Sequence, residues 1–203
     1  MPPRRRAILR GAVFTLNLPN LLTVMRILLV PVLVVALLSH GGQTSDVLAA
    51  VVFAAASVTD ALDGWLARTR AQITTFGKLM DPVADKLLII AALLSLVSLG
   101  RLAAWVAMVI VAREFAVTVA RISARSEGVV IAANWWGKVK TGVQVLTIFL
   151  LILLVPSPTW IDWLVYVMVA VTVISGIDYF FGMRRLLREA ELRRAHAGEG
   201  SPQ

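Results

Sequence analysis

Four aspartates lie in two pairs within otherwise apolar stretches of the sequence. Asp60 and Asp63 are three residues apart, and Asp81 and Asp85 are four residues apart. In a helix, both separations place the two side chains on one face. If two such faces oppose each other across neighbouring helices, four carboxylates come together, and their charge must be compensated in a low-dielectric interior. Divalent cations provide that compensation, so the spacing predicts a metal site.

Few other metal-ligating residues accompany these aspartates. The sequence has no cysteine, which excludes disulfides, thiolate metal sites and a cysteine nucleophile. Its two histidines, His40 and His196, lie outside the apolar stretches, and we expect both to be solvated. Because zinc favours nitrogen and sulfur ligands whereas Mg²⁺ and Mn²⁺ favour oxygen, the composition predicts Mg²⁺ or Mn²⁺.

Small residues and one arginine lie between the two aspartate pairs. Gly64 and Ala67 follow Asp60 and Asp63 by four residues each, so they share the carboxylate face. Their short side chains leave a notch beside the predicted metals, where a flat or bulky group could approach the backbone. Helix packing through small residues is the alternative for any one of them. Because these small residues lie next to four aspartates and Arg68, we favour the interpretation that they form a notch for a ligand over simple helix packing.

The amino-acid composition indicates whether the surface of this protein faces water or lipid. The 203 residues are 59% hydrophobic and 16% charged, with a mean hydropathy of +0.82. Soluble domains have about 45–50% apolar and about 25% charged residues. An isolated water-soluble globule is therefore excluded, and the surface must face lipid.

Six stretches are long enough to cross a bilayer core, which takes about 20 apolar residues. The fold class predicted is thus an all-α, polytopic membrane protein with six transmembrane helices. The predicted spans are residues 17–39, 47–67, 80–99, 102–122, 135–155 and 160–182. We divide the chain into a basic juxtamembrane segment (1–16) with an interfacial amphipathic stretch, a six-helix domain with the predicted site (17–182), and a basic cytoplasmic tail (183–203), disordered toward its end.

Basic residues are distributed unevenly among the connections. They precede span one, follow span six, and lie between spans two and three and between spans four and five, whereas the alternate connections carry only Arg101. Because basic residues are retained on the cytoplasmic side, both termini are predicted to be cytoplasmic. Topology then accounts for the net charge of +8, and we expect no nucleic-acid binding.

Further charged residues are predicted at the depth of the aspartates. Arg26 lies in span one, and Arg113 and Glu114 lie in span four. Charged side chains within a membrane are costly and therefore indicate function. We predict one polar cluster in the cytoplasmic half of the bundle. Structural pairing is the alternative, of Arg26 with the aspartates and of Glu114 with a nearby arginine.

Together the residues read Asp60-x-x-Asp63-Gly64-x-x-Ala67-Arg68, eight residues, Gly77-x-x-x-Asp81-x-x-x-Asp85. Every fixed position resembles the signature of the CDP-alcohol phosphotransferases, integral membrane enzymes of phospholipid synthesis. The resemblance implies transfer of a phosphatidyl group from CDP-diacylglycerol to an alcohol, with release of CMP. The resemblance also implies a homodimer. We expect the protein to lie in the cytoplasmic membrane with its active site facing the cytoplasm.

The same resemblance implies a role for each residue of the signature. Asp60, Asp63 and Asp81 would ligate two divalent cations, Mg²⁺ or Mn²⁺, and Asp85 would both ligate and accept the proton of the acceptor hydroxyl. The residues that would bind CDP-diacylglycerol are Asp60, Gly64, Ala67, Arg68 and Gly77.

Other blocks resemble one branch of the family, whose acceptor is sn-glycerol 3-phosphate. These blocks are Asn17–Arg26, Asp81–Lys86, Ala112–Glu114 and Gly137–Thr141. Because this acceptor carries a phosphate, it needs a second anion site, and Arg113, Arg121 and Lys138 match the phosphate-binding positions of that branch. For Arg121, an interfacial anchor is the alternative.

Three other functions compete with this interpretation. Within the family, the acceptor could be inositol phosphate, or phosphatidylglycerol in a cardiolipin-type synthase. A cation transporter also carries intramembrane aspartates, but near the midplane and often in two related halves, whereas these cluster toward one face. A structural membrane protein would leave four aspartates without matching partners.

Overall fold

The computed structural model describes residues 18–39, 41–70, 75–126 and 135–199. For residues 60–70, 75–82 and 85, which include the aspartate signature, it describes the backbone alone. The basic segment predicted for residues 1–16, with its interfacial stretch, lies outside the described residues.

Six α-helices make up almost all of this described chain, and each corresponds to one predicted span. They are α1 (Leu18–Leu38), α2 (Gln43–Arg70), α3 (Thr75–Ser98), α4 (Ala104–Ser126), α5 (Trp135–Leu153) and α6 (Thr159–Glu199). The all-α prediction is confirmed. The last helix is much longer than the span predicted for 160–182, because the basic segment that follows is helical through Glu199.

Among the described residues, three helices are long and apolar enough to cross a membrane. Their qualifying stretches are Leu21–Leu38, Trp135–Leu153 and Thr159–Arg184. Within the described side chains, α2 and α3 contribute the shorter apolar stretches Gln43–Thr59 and Lys86–Ser98.

The outer surface of the bundle is apolar and its interior includes polar residues, unlike a water-soluble protein. The interior contains buried polar and charged residues, among them Thr23, Arg26, Lys140, Gln144, Thr172 and Ser175. The outer surface exposes large apolar residues on every helix, among them Leu28, Val51, Leu94, Met108, Leu146 and Phe181. In water, burial of apolar residues drives folding and charged residues stay outside. The chain is therefore a membrane protein.

The interior has an apolar half and a polar half. The apolar core is formed by the C-terminal half of α1, the N-terminal half of α2, the C-terminal half of α3 and the matching halves of the later helices. Its largest fully buried members include Leu33, Phe53, Leu93, Ile110, Ile152 and Ile161. Fully buried alanines such as Ala49, Ala56 and Ala92 let the helices approach closely. The buried polar residues lie mostly in the other half.

The turn between α3 and α4 closes the apolar end. Gly100 adopts a left-handed conformation with φ of 69°, which glycine reaches without steric strain. The Arg101 N–H donates to the Leu96 carbonyl at 2.9 Å and the Gly100 N–H donates to the Val97 carbonyl at 3.0 Å. These two bonds form a Schellman cap, which satisfies the last carbonyls of α3.

This cap places Arg101 against the first turn of α2. Its Nη1 donates to Asp46 Oδ1 at 2.7 Å, and the two side chains are 20% and 10% exposed. Arg101 is the one basic residue in the connections predicted to be extracytoplasmic, and its charge is neutralised there. The pair also connects the α3–α4 turn to α2. In addition, the negative charge of Asp46 interacts favourably with the positive, N-terminal end of the α2 dipole.

We predict that the Asp46–Arg101 pair stabilises this end of the bundle cooperatively. In a double-mutant cycle of Asp46→Asn and Arg101→Gln, thermal unfolding in detergent should give a coupling free energy of about 0.5–3 kcal/mol. The exposed Asp162, at the start of α6, provides a matched control as Asp162→Asn. If the double variant loses only as much stability as the sum of the two single variants, the pair contributes no coupling free energy.

Candidate active site

The signature residues lie on the two helices that adjoin one short connection. Asp60, Asp63, Gly64, Ala67 and Arg68 belong to the C-terminal half of α2, and Gly77, Asp81 and Asp85 belong to the first half of α3. Their side chains lie outside the described residues, so the roles predicted for them stay predictions. Among the side chains that the structure does describe, no three potential metal ligands converge.

The backbone nevertheless places the two halves of the signature at the same end of the bundle. Helix α2 ends at Arg70 and α3 begins at Thr75, so four residues connect them. A connection of that length holds the two helix ends close together, and α2 and α3 are in contact. The aspartates therefore lie at the polar end of the bundle, opposite the Gly100 turn.

A buried arginine on α1 adjoins this end. Helix α1 packs against both α2 and α3, and Arg26, at its polar end, is 1% exposed. It is the largest fully buried side chain in the described chain. Because an enclosed guanidinium requires compensating negative charge, Arg26 supports the prediction of a carboxylate-rich site between these three helices.

Glu114 is the centre of a polar network between four helices. Its Oε1 accepts hydrogen bonds from Lys140 Nζ of α5 and, at 3.2 Å, from Arg113 Nη1. The pairing of Glu114 with a nearby arginine is thus confirmed, and Lys140 is a second partner. One turn further along α4, Thr118 donates to the Glu114 carbonyl at 2.7 Å and accepts a hydrogen bond from Lys86 of α3.

Helix α6 contacts the Arg113 guanidinium at the nitrogen that does not bond to Glu114. The guanidinium Nη2 donates to Ser175 Oγ at 2.9 Å, and that hydroxyl donates to the Thr172 carbonyl at 3.0 Å. Gly176 makes room for the arginine, since a Cβ atom there would lie 3.3 Å from Arg113 Cγ. The side chain is 15% exposed, so Glu114, Ser175 and Gly176 fix a nearly enclosed cation.

The three predicted phosphate-binding residues lie on two helices. Arg113 and Arg121 both face α6, and the Arg121 guanidinium lies 5.8 Å from the centre of the Tyr179 ring. Lys138 is exposed in the first turn of α5. Glu114 links Arg113 to α5 through Lys140, two residues after Lys138.

A cavity of about 270 Å³ lies between α2, α3, α4 and α5, and Glu114 forms part of its lining. Its polar lining residues are Ser57, Lys86, Glu114, Lys140, Thr141 and Gln144. The remaining wall is mainly aliphatic, with Leu88, Ile89, Ile110, Val111 and Val145. Arg113 lines a separate, largely apolar groove between α4 and α6.

Several of these polar residues escaped the sequence analysis. Lys140 received no role of its own there, but it is buried and paired with Glu114. Asp178, half-buried in α6, and Ser175 were passed over. An acidic residue within a predicted span was the available signal for Asp178. For Ser175 and Gln144 no such signal exists, because serine and glutamine carry no charge.

Comparison with known protein families agrees with this arrangement. Residues 16–174 match the family model described as CDP-alcohol phosphatidyltransferase. The match covers all of α1 to α5 and the part of α6 that contains Thr172. The chain belongs to the CDP-alcohol phosphatidyltransferase family.

Three similar proteins carry names that state a function. The chain is 44% identical over 177 residues to the "Probable phosphatidylglycerophosphate synthase" of Mycobacterium tuberculosis, which covers 85% of this chain and 83% of that protein. It is 41% identical over 181 residues to the CDP-diacylglycerol--glycerol-3-phosphate 3-phosphatidyltransferase of Bacillus subtilis, covering 81% and 93%. The Haemophilus influenzae protein of the latter name is 37% identical, covering 65% and 73%.

The clearance at Gly176 generates a prediction about α6. Gly176→Ala should lower the midpoint of thermal unfolding, because Arg113 is anchored on both sides and cannot move away from the new methyl group without losing a hydrogen bond. Gly182→Ala, on the same helix with open space at its Cβ, should raise stability by up to about 1 kcal/mol. Equal effects of the two substitutions would contradict the assigned close approach.

Proposed function

We propose that this membrane enzyme transfers the phosphatidyl group of CDP-diacylglycerol to sn-glycerol 3-phosphate, giving phosphatidylglycerophosphate and CMP. The observation that carries the proposal is the similarity to one protein named for this product and one named for this reaction, at 44% and 41% identity over more than four-fifths of each chain. The buried cations on α1, α4 and α5 support it, since both substrates carry phosphate.

The aspartate signature is proposed to bind two divalent cations, Mg²⁺ or Mn²⁺, through Asp60, Asp63, Asp81 and Asp85. The donor set fits, because four carboxylates supply only hard oxygen ligands. When bound, such cations reduce the charge of a pyrophosphate and stabilise the phosphate that leaves. Gly64, Ala67 and Gly77 would leave room for the nucleotide, and Arg68 would bind one of its phosphates.

Asp85 is proposed as the general base. It accepts the proton of an acceptor hydroxyl while the hydroxyl oxygen forms a bond to the phosphatidyl phosphorus. The bond between that phosphorus and the bridging oxygen breaks, and CMP leaves with the electron pair. Because phosphoryl-type transfer depends chiefly on positioning and charge stabilisation, the fixed Arg113 and the enclosed Arg26 fit the reaction.

The phosphate of the acceptor is proposed to bind Arg113, Arg121 and Lys138. Arg113 and Arg121 lie eight residues apart on α4 and both contact α6. An arginine whose position is fixed by Glu114 and Ser175 loses little further freedom when it binds an anion, which favours affinity. Lys138, exposed in the first turn of α5, would reach the same phosphate from the side.

We further propose that all six helices cross the bilayer, with both termini and the polar half of the bundle on the cytoplasmic side of the cell membrane. Helices α2, α3 and α4 have 28, 24 and 23 residues, and about 20 suffice to span the hydrocarbon core. Exposed tryptophans at the starts of α4, α5 and α6 are typical of membrane interfaces. A homodimer is proposed from the family resemblance alone.

The activity is tested by measuring the release of CMP from CDP-diacylglycerol in the presence of Mg²⁺, with each candidate acceptor supplied in a separate reaction. Glycerol 3-phosphate should support turnover, and inositol phosphate, free inositol and phosphatidylglycerol should not. Asp85→Asn should lower the rate at least about 100-fold, because the general base is lost, whereas Asp162→Asn should not change it. A preference for inositol phosphate would overturn the acceptor, and absence of CMP with every acceptor in folded protein would overturn the proposed activity.

A further inference from the structure

We propose that the cavity between α2, α3, α4 and α5 is the pocket for the glycerol moiety of the acceptor, and that Gln144 and Ser57 bind its non-reacting hydroxyl. The inference rests on the proposed function and extends it from the acceptor's phosphate to its polyol part. It names two residues that lie outside both the aspartate signature and the predicted phosphate site.

Gln144 carries the inference. It is 2% exposed, yet its side chain lines the cavity. Within the described part of the chain, no hydrogen bond involves its amide, which has two donor hydrogens and one acceptor oxygen. Because Gln144 lines the cavity and its amide has no partner among the described residues, the amide is available to a ligand there. A ligand with hydroxyl groups in the cavity would supply the missing partners.

Ser57 provides a second, independent observation on the α2 side of the cavity. Its Oγ is buried and has no hydrogen-bond partner in the structure as described. Serine in a helix commonly satisfies its hydroxyl by donating to a carbonyl of the preceding turn, as Thr59 does to Ala55 at 2.6 Å. Ser57 does not, so its hydroxyl is available to a molecule in the cavity.

The neutral polar groups on the walls suit a ligand with hydroxyl groups. Of the charged lining residues, Glu114 and Lys140 form an ion pair, and Lys86 donates a hydrogen bond to Thr118. The uncommitted groups, Gln144 and Ser57, are neutral and can both donate and accept, as hydroxyl recognition requires. The aliphatic part of the wall accommodates a carbon chain.

The position of the cavity along the helices fits an acceptor that reacts at the aspartate signature. Ser57 precedes Asp60 by three residues, about 4.5 Å along the helix axis, and cavity-lining Lys86 directly follows Asp85. Gln144 lies six residues beyond Lys138, about 9 Å deeper along α5. A three-carbon phosphate ester whose phosphate lies at Lys138 can thus extend along α5 toward Gln144.

The test compares glycerol 3-phosphate with 3-hydroxypropyl phosphate, which lacks only the central hydroxyl group. In the full-length wild-type protein, kcat/KM should be at least about tenfold higher for glycerol 3-phosphate, because the analogue leaves buried polar groups unpaired. In Gln144→Met, which preserves approximate volume, this ratio should fall to between one and two through loss of activity with glycerol 3-phosphate alone.

Two further variants keep the experiment decisive. Thr147→Val changes a buried residue one turn further along α5 that bonds only to the Val143 carbonyl and does not line the cavity, so its ratio should equal that of the wild type. Ser57→Ala removes the second hydroxyl partner and should lower the ratio in the same direction. If Gln144→Met does not fold, Ser57→Ala decides the outcome.

An unchanged ratio in both active variants, or an equal loss with both acceptors, would overturn the inference, since the cavity would then hold only water or serve packing. Failure of the proposed function is distinguishable from this result. In that case the wild-type protein would release no CMP with either acceptor.

Discussion

The protein depends on the compensation of charges that lie inside a bundle whose outer surface is apolar. Glu114 is the clearest case, because one carboxylate oxygen accepts hydrogen bonds from Lys140 and Arg113. Removing one partner of such a buried group leaves an uncompensated charge in low dielectric, which is strongly destabilising. Through these bonds and the contact of Arg113 with Ser175, the charge balance of α4 fixes its position relative to α5 and α6.

The apolar half of the bundle provides most of the packing, and the polar half contains the residues proposed to take part in the chemistry. In one half, large apolar side chains and small alanines pack tightly, and the capped turn at Gly100 and the Asp46–Arg101 pair close the end. In the other half, polar side chains occupy the interior, and a cavity separates the helices. The apolar half can thus hold six helix ends in register while the polar half remains available to a phosphate-containing substrate.

The helices and the family were predictable from the sequence because their signals are local. Apolar stretches of sufficient length gave six helices, and a spaced signature of eight residues indicated the family. Contacts between helices were not predictable in the same way. The burial of Lys140 depends on its meeting Glu114, 26 residues earlier, and nothing in its local sequence distinguishes it from the exposed Lys138. The length of α6 was underestimated because the basic segment lacks a continuous apolar stretch yet continues the helix.

The same distinction explains why the site was predicted only in part. Charged residues inside an apolar stretch are conspicuous, so the aspartates, Arg26, Arg113 and Glu114 were identified. Neutral polar residues such as Ser175 and Gln144 acquire significance only when packing encloses them beside a cation or a cavity. Gly176 likewise looks like any helix-packing glycine until the path of Arg113 across α6 is known.

The central claim is that the polar end of this bundle binds the divalent cations that make phosphatidyl transfer possible. The most direct measurement is a titration of the purified, lipid-reconstituted protein with Mn²⁺, followed by electron paramagnetic resonance. The account predicts two tightly bound ions per chain in the wild-type protein and loss of tight binding in the double variant Asp60→Asn/Asp81→Asn, with folding verified by circular dichroism. No tight binding by the wild-type protein, or identical binding by the folded double variant, would contradict it.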